Sequence, residues 1–173
     1  MEINWRAILW QQFGAAIDML ENALRACPEE LWNMRLWNEP AAPAGSSEFW
    51  YVTYHTLFWL DLYLSGSVEV FSPPAPFTLD ELDPAGLMPE RQYSKEELGL
   101  YLDHCRRKCK TTIESLTEEK AGQNCSFPWG GVSFAELLLD NMRHVQEHAA
   151  QLHLVLGQRT GYSNRWIART GMP

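Results

Sequence analysis

The sequence predicts an all-α fold, a four-helix bundle with long inter-helix loops. Three observations lead there. Apolar residues recur every three or four positions in four long segments. Two of those segments open on a Ser-x-x-Glu capping box, a helix start signal. No segment reads convincingly as a strand, and no internal repeat is present.

The first helix is expected over about 3–27, with Trp5, Leu9, Phe13, Ala16, Leu20, Ala23 and Cys27 forming its buried stripe. Pro28 ends it, because the residue before a proline is pushed out of helical geometry. Residues 39–45 are a loop by composition. The second helix is expected over about 47–65, capped by Ser46 or Ser47 and stopped by Gly66. It is apolar nearly all round and should be the most buried of the four. From Ser67 to Gln92 the chain is rich in proline with little periodicity, and its aromatic and aliphatic residues suggest a flap that packs down. Ser94 to Glu97 opens the third helix, about 95–116, with Leu98, Tyr101, Leu102, Cys105, Cys109, Ile113 and Leu116 buried. Residues 122–131 read as another loop. Ser133 to Glu136 opens the fourth helix, about 134–156, which Gly157 should close. In the remaining tail, Trp166 and Ile167 are able to dock on the bundle.

A chain of 173 residues fits one domain spanning 1–173. Its formal charge of −8 argues against a nucleic-acid partner, and the one basic cluster, Arg106-Arg107-Lys108, reads as a solvated helix face. The start of the chain lacks signal-peptide features, and the longest apolar run falls short of a membrane span. Four cysteines match neither a zinc motif nor a secreted disulfide framework, so a cytoplasmic location is expected. Eight tryptophans point to a bulky core or an aromatic-lined cavity for a small-molecule substrate.

The chemistry sits with the histidines. His144 and His148 are one helical turn apart on nearly the same azimuth, within the stripe of Leu137, Leu138, Val145, Leu152, Val155 and Leu156. An unpartnered polar ring there is costly. Two histidines so spaced can bring ring nitrogens onto one metal ion, since their Cβ atoms lie roughly 6 Å apart. His55, on the second helix beside Tyr51, Val52, Phe58, Trp59 and Leu62, is the candidate third ligand. Three such ligands leave coordination positions open for water or substrate. A buried histidine bonded to a carbonyl or a tyrosine is the alternative for each ring. His104 and His153 are expected to face outward and to be dispensable. Asp140 and Glu147 flank the histidine face and could orient a ligand or act as a base, although solvated carboxylates are commoner. Cys105 and Cys109 read as core packing, and Trp59 as core that could line a cavity.

The run His144-Val145-Gln146-Glu147-His148-Ala149-Ala150-Gln151-Leu152 resembles the last-helix motif of the DinB-like (DinB/YfiT) helical-bundle family. There, two histidines four apart precede a short spacer and Gln-Leu or Gln-Ile. The run Tyr51 to Trp59 around His55 is similar to that family's second helix, the source of a third histidine. The resemblance implies that His55, His144 and His148 bind a divalent metal, commonly zinc or nickel. It also implies a thiol-dependent transferase or isomerase, or a hydrolase, working with a low-molecular-weight thiol or water. Family members often carry Arg-Gly after the last ligand, where this chain has Ala149-Ala150, which bears on substrate contacts and not on ligand geometry. The alternative is a non-catalytic metal- or small-molecule-binding dimeric bundle. Trp50, Leu57 and Leu60, on the side of the second helix opposite His55, suggest a homodimer contact unless the 67–92 loop covers them.

Overall fold

The computed structural model describes residues 3–38, 40 and 43–171. Of the loop expected over 39–45, residues Glu39, Ala41 and Ala42 lie outside the described residues. Four long helices carry the fold: α1 (Trp5–Ala26), α2 (Phe49–Ser65), α3 (Lys95–Glu114) and, after a short α4 (Glu118–Gly122) and a hairpin, α5 (Phe134–Thr160). Both α1 and α2 pack against α3 and α5. The two helices that follow each other at the start of the chain therefore stand across a diagonal, and α3 and α5 occupy the other. The α1–α2 and α3–α5 connections are diagonal steps that must cross the end of the bundle, whereas the 67–92 segment joins the neighbours α2 and α3.

The helix ends show what sets them. In α1, the Asn4 side chain accepts from Ala7 N, and the helix stops at extended Cys27, ahead of Pro28. Both capping boxes form as read, Ser94 with Glu97 and Ser133 with Glu136. Neither Ser46 nor Ser47 caps α2; its N-cap is Glu48, with no side-chain bond. Backbone carbonyls from the preceding segment replace the cap, Met34 O accepting from Phe49 N at 3.0 Å and Trp32 O from Trp50 N at 3.1 Å. At the other end Gly66 takes the left-handed conformation (φ 75°), where a side chain would also press on Phe134. Gly157 does not close α5, which runs on to Thr160 and ends at left-handed Gly161.

The stretch 122–131, read from sequence as loop, lies largely in an antiparallel hairpin of β1 (Asn124–Phe127) and β2 (Gly130–Ser133). Cys125 and Phe127 point inward. Strands of four residues around a two-residue Pro128-Trp129 turn are too short to display a readable alternation.

One core runs through the bundle, with Phe13, Ile17, Leu57, Leu98, Leu138 and Leu152 among its inaccessible residues. Trp50, Leu57 and Leu60 belong to it, so the apolar side of α2 that suggested a dimer contact is already covered within the chain. Trp5 and Trp166, expected to pack, are exposed, while Ile167 does pack against the core. The basic cluster on α3 is not a solvated face. Arg106 pairs with Asp18 and Glu21 of α1, and Lys108 reaches Asp61, which is 0% exposed in α2. No described helix is long and apolar enough to cross a membrane.

Candidate metal centre

Between α2 and the start of α3, the 67–92 segment folds down over α2. Phe71 packs edge-on to Phe58, and Phe77 stacks on Tyr54 and on Tyr101, at 4.3 Å between the Phe77 and Tyr101 centroids. Tyr54 OH donates to Thr78 O at 3.4 Å. These anchors hold the 3-10 turn Asp80–Leu82 over α2 and deliver Glu81 to His55. His55 Nδ1 donates to Glu81 Oε2 at 2.8 Å, and Trp59 Nε1, one turn further along α2, donates to the same oxygen at 2.9 Å.

With its Nδ1 proton held by a carboxylate, His55 presents a bare Nε2 to the interior of the bundle. His148 is set the same way, its Nδ1 donating to Gln151 Oε1 at 2.8 Å. His144 lies between them. Its Nε2 is 3.4 Å from His55 Nε2 and 3.1 Å from His148 Nε2. One nitrogen from each of the three rings lies within 4.8 Å of the others. Three ligand nitrogens at the usual zinc–imidazole distance in a tetrahedral shell stand about 3.3 Å apart. The cluster has that spacing. Two buried polar atoms at the centre lack a hydrogen-bond partner, Glu81 Oε1 and His144 Nδ1.

The electrostatics keep the two α5 histidines of the cluster neutral and able to bind a cation. Burial, aided by the neighbouring charges of His148 and His55, lowers the His144 pKa from 6.5 to about 3. Burial also lowers His148, against a small upward pull from Gln151. For Glu81 burial pushes upward, but the hydrogen bond and charge of His55, with Tyr51 and Trp59, hold the carboxyl below its usual range. His144 therefore enters the fold as a neutral ring. Because its folded pKa is depressed, the His144 contribution to the stability of the metal-free protein is fully present above pH 6.5 and is lost as pH falls toward about 3. Between pH 7.5 and pH 5 this amounts to about 2 kcal/mol. Urea unfolding of metal-free protein at the two pH values should show at least that loss, since burial also lowers His148 and His153, and His144→Gln should reduce it by about 2 kcal/mol.

A cavity of about 330 Å³ opens beside the cluster, with His55, His148, Glu81 and Asp80 in its lining next to Trp37, Val52 and Leu87. Three imidazole donors and an adjoining cavity make an arrangement that could hold a divalent ion with room for a further ligand.

The sequence profile of the DinB superfamily matches residues 12–152. The chain belongs to the DinB superfamily. Two solved structures share its fold. A conserved Enterococcus faecalis protein aligns with a TM-score of 0.62 and 16% identity, covering 94% of this chain and 99% of its own. A DinB-like protein from Bacillus subtilis aligns at 0.57 and 16%, covering 90% and 94%. No curated protein matches the chain.

Within this DinB bundle the three histidines expected to converge do so. The flanking carboxylates follow the commoner reading of solvated side chains: Glu147 is exposed, and Asp140 lies by Arg143 at 3.6 Å. The carboxylate at the centre is Glu81, which sequence reasoning missed because it lies 26 residues from His55 on an aperiodic segment. Trp59 does line the centre, as a hydrogen-bond donor. Cys105 and Cys109 are fully buried, and burial pushes both thiols up, which suits packing and not reactivity. His153 is not a surface residue. It is 7% exposed, its Nε2 donates to Met19 O at 2.8 Å, and its ring stacks on Tyr162. His104 is also drawn in, half-buried with Nε2 3.5 Å from Asp61 Oδ1.

Proposed function

We propose that His55, His144 and His148 hold one divalent metal ion, zinc or nickel, and that the chain is a metal-dependent enzyme of transferase, isomerase or hydrolase type. The convergence of their three Nε2 atoms at metal-ligand spacing carries this reading. Nitrogen-only ligation suits zinc or nickel better than magnesium or calcium, which prefer oxygen. A bound ion would lower the pKa of a thiol or water, making it a nucleophile at neutral pH. The chain's own residues do the rest. Glu81 and Gln151 fix the ring orientations of His55 and His148. Trp37, Val52 and Leu87 form the apolar wall against which a substrate rests.

The cavity beside the histidines supports the enzyme over a non-catalytic staple, for which a closed site would be expected. All four cysteines are free and buried, which fits a single-domain protein of the reducing cytoplasm. With the apolar side of α2 covered by the chain's own core, no homodimer is proposed.

Elemental analysis after zinc loading and desalting tests the proposal, with one ion per chain expected and none retained counting against it. Glu81→Gln should weaken zinc about 10- to 100-fold while leaving the stoichiometry of one, since the carboxylate orients a ligand without being one. Competition with a chelating indicator reads that change, and unaltered affinity would remove Glu81 from the centre.

A further inference from the structure

The cavity beside the histidine cluster carries carboxylates and, among the described residues, no cation. Asp80 and Glu81 line it, and no lysine or arginine does. The segment between Asn38 and Pro43 is Glu39-Pro40-Ala41-Ala42 in sequence, with no basic residue to add. Arginines outside the lining have their own places. Arg91 is held by Glu97 at 2.6 Å and 2.9 Å, Arg143 lies against Asp140, and Arg35 lines the adjoining cavity that shares Pro43 and Ser46.

The two acids differ in role. Glu81 is committed to His55 and Trp59, with its side chain 6% exposed. Asp80 touches no histidine of the cluster; one of its oxygens accepts from Thr78 Oγ1. With a divalent ion at the centre, Glu81 and one anionic nucleophile already balance the ion's two charges. Asp80 then leaves the cavity with a surplus negative charge beside an apolar wall. In a partly water-excluded cleft such a charge repels a second anion at several ångströms and attracts a cation.

We propose that this cavity admits uncharged or cationic ligands, a thiol included, and disfavours anionic ones, with Asp80 as the specificity-determining residue. This rests on the metal-dependent reading above and goes beyond it by naming the charge class of the ligand.

The test uses the full chain loaded with cobalt(II), whose visible absorption reports the three-His site. A near-ultraviolet thiolate-to-cobalt band reports thiol binding. Three thiols of similar size serve as probes: cysteamine (cationic), 2-mercaptoethanol (neutral) and 3-mercaptopropionate (anionic). The parent protein should bind 3-mercaptopropionate at least about tenfold more weakly than 2-mercaptoethanol. Because the thiols differ in their own acidity, the deciding quantity is the change in their relative Kd values in Asp80→Lys. There, 3-mercaptopropionate should tighten and cysteamine weaken, each by about three- to tenfold, with 2-mercaptoethanol moving less than about twofold. Asp80→Asn, which keeps an acceptor for Thr78, should move both in the same direction by less and guards against a poorly folded lysine variant. Cobalt uptake with relative affinities unchanged by either variant overturns the charge selection alone, as does a cobalt site showing no thiolate band with any probe. Failure to take up cobalt overturns the metal centre, and the selection with it.

Discussion

Replacing His148 by alanine is expected to abolish stoichiometric metal, while His153→Ala retains one ion per chain. The two residues sit five apart on α5, yet they face different neighbours. His148 Nε2 stands 3.1 Å from His144 Nε2 in the cluster, whereas His153 Nε2 donates to the Met19 carbonyl of α1. Removing an orienting partner of a ligand already costs about 10- to 100-fold in affinity, so loss of a ligand itself should exceed about 100-fold. In His153→Ala the effect falls on stability. The Met19 carbonyl loses its donor, the stack on Tyr162 is lost, and a cavity opens in a buried position, together about 1–3 kcal/mol. Elemental analysis of both variants, paired with urea unfolding, separates the two roles. Equal metal retention in both would mean that the three histidines do not share an ion.

The second large effect lies away from the cluster. Lys108→Met should destabilise the fold by about 3–5 kcal/mol, because it strands a buried carboxylate. Asp61 is wholly inaccessible in α2, and Lys108 Nζ reaches its Oδ1 at 2.5 Å, its backbone oxygen at 2.9 Å and Ser65 Oγ at 2.7 Å. Once the ammonium is gone, Tyr101 OH, at 3.2 Å from Oδ2, and His104 Nε2, at 3.5 Å from Oδ1, are left beside the carboxylate, and neither carries the fixed positive charge of the lysine. The Asp61→Asn/Lys108→Met double variant should recover much of the loss, since a neutral amide needs no counter-charge. Chemical denaturation of the three proteins tests this. A Lys108→Met loss below about 1 kcal/mol would class the pair with surface ion pairs.

Several features of the centre could be read directly from residues. His144 and His148 share an azimuth because 3.6 residues per turn puts i and i+4 together, whatever surrounds the helix. The capping boxes at Ser94 and Ser133 formed because their partners are three residues away. His55 was identifiable as inward-facing from its apolar neighbours, and its meeting with the pair is confirmed by geometry. The same local reasoning misplaced His153, since the stripe on its own helix omits the C-terminal segment whose Tyr162 covers it. It likewise assigned Ser46 or Ser47 as a cap that backbone carbonyls from residues 32–34 make unnecessary.

Sequence alone therefore settles the four long helices, most of their buried faces and the azimuths of the three histidines, because these follow from periodicity within single elements. Tertiary structure decides which aperiodic segment lies over which helix. It brings Glu81 onto His55, pairs Asp61 with Lys108, covers Trp50, Leu57 and Leu60, and shapes the cavity around Asp80. Those placements depend on contacts between residues tens of positions apart, such as Phe77 against Tyr101, and no local pattern in the chain encodes them.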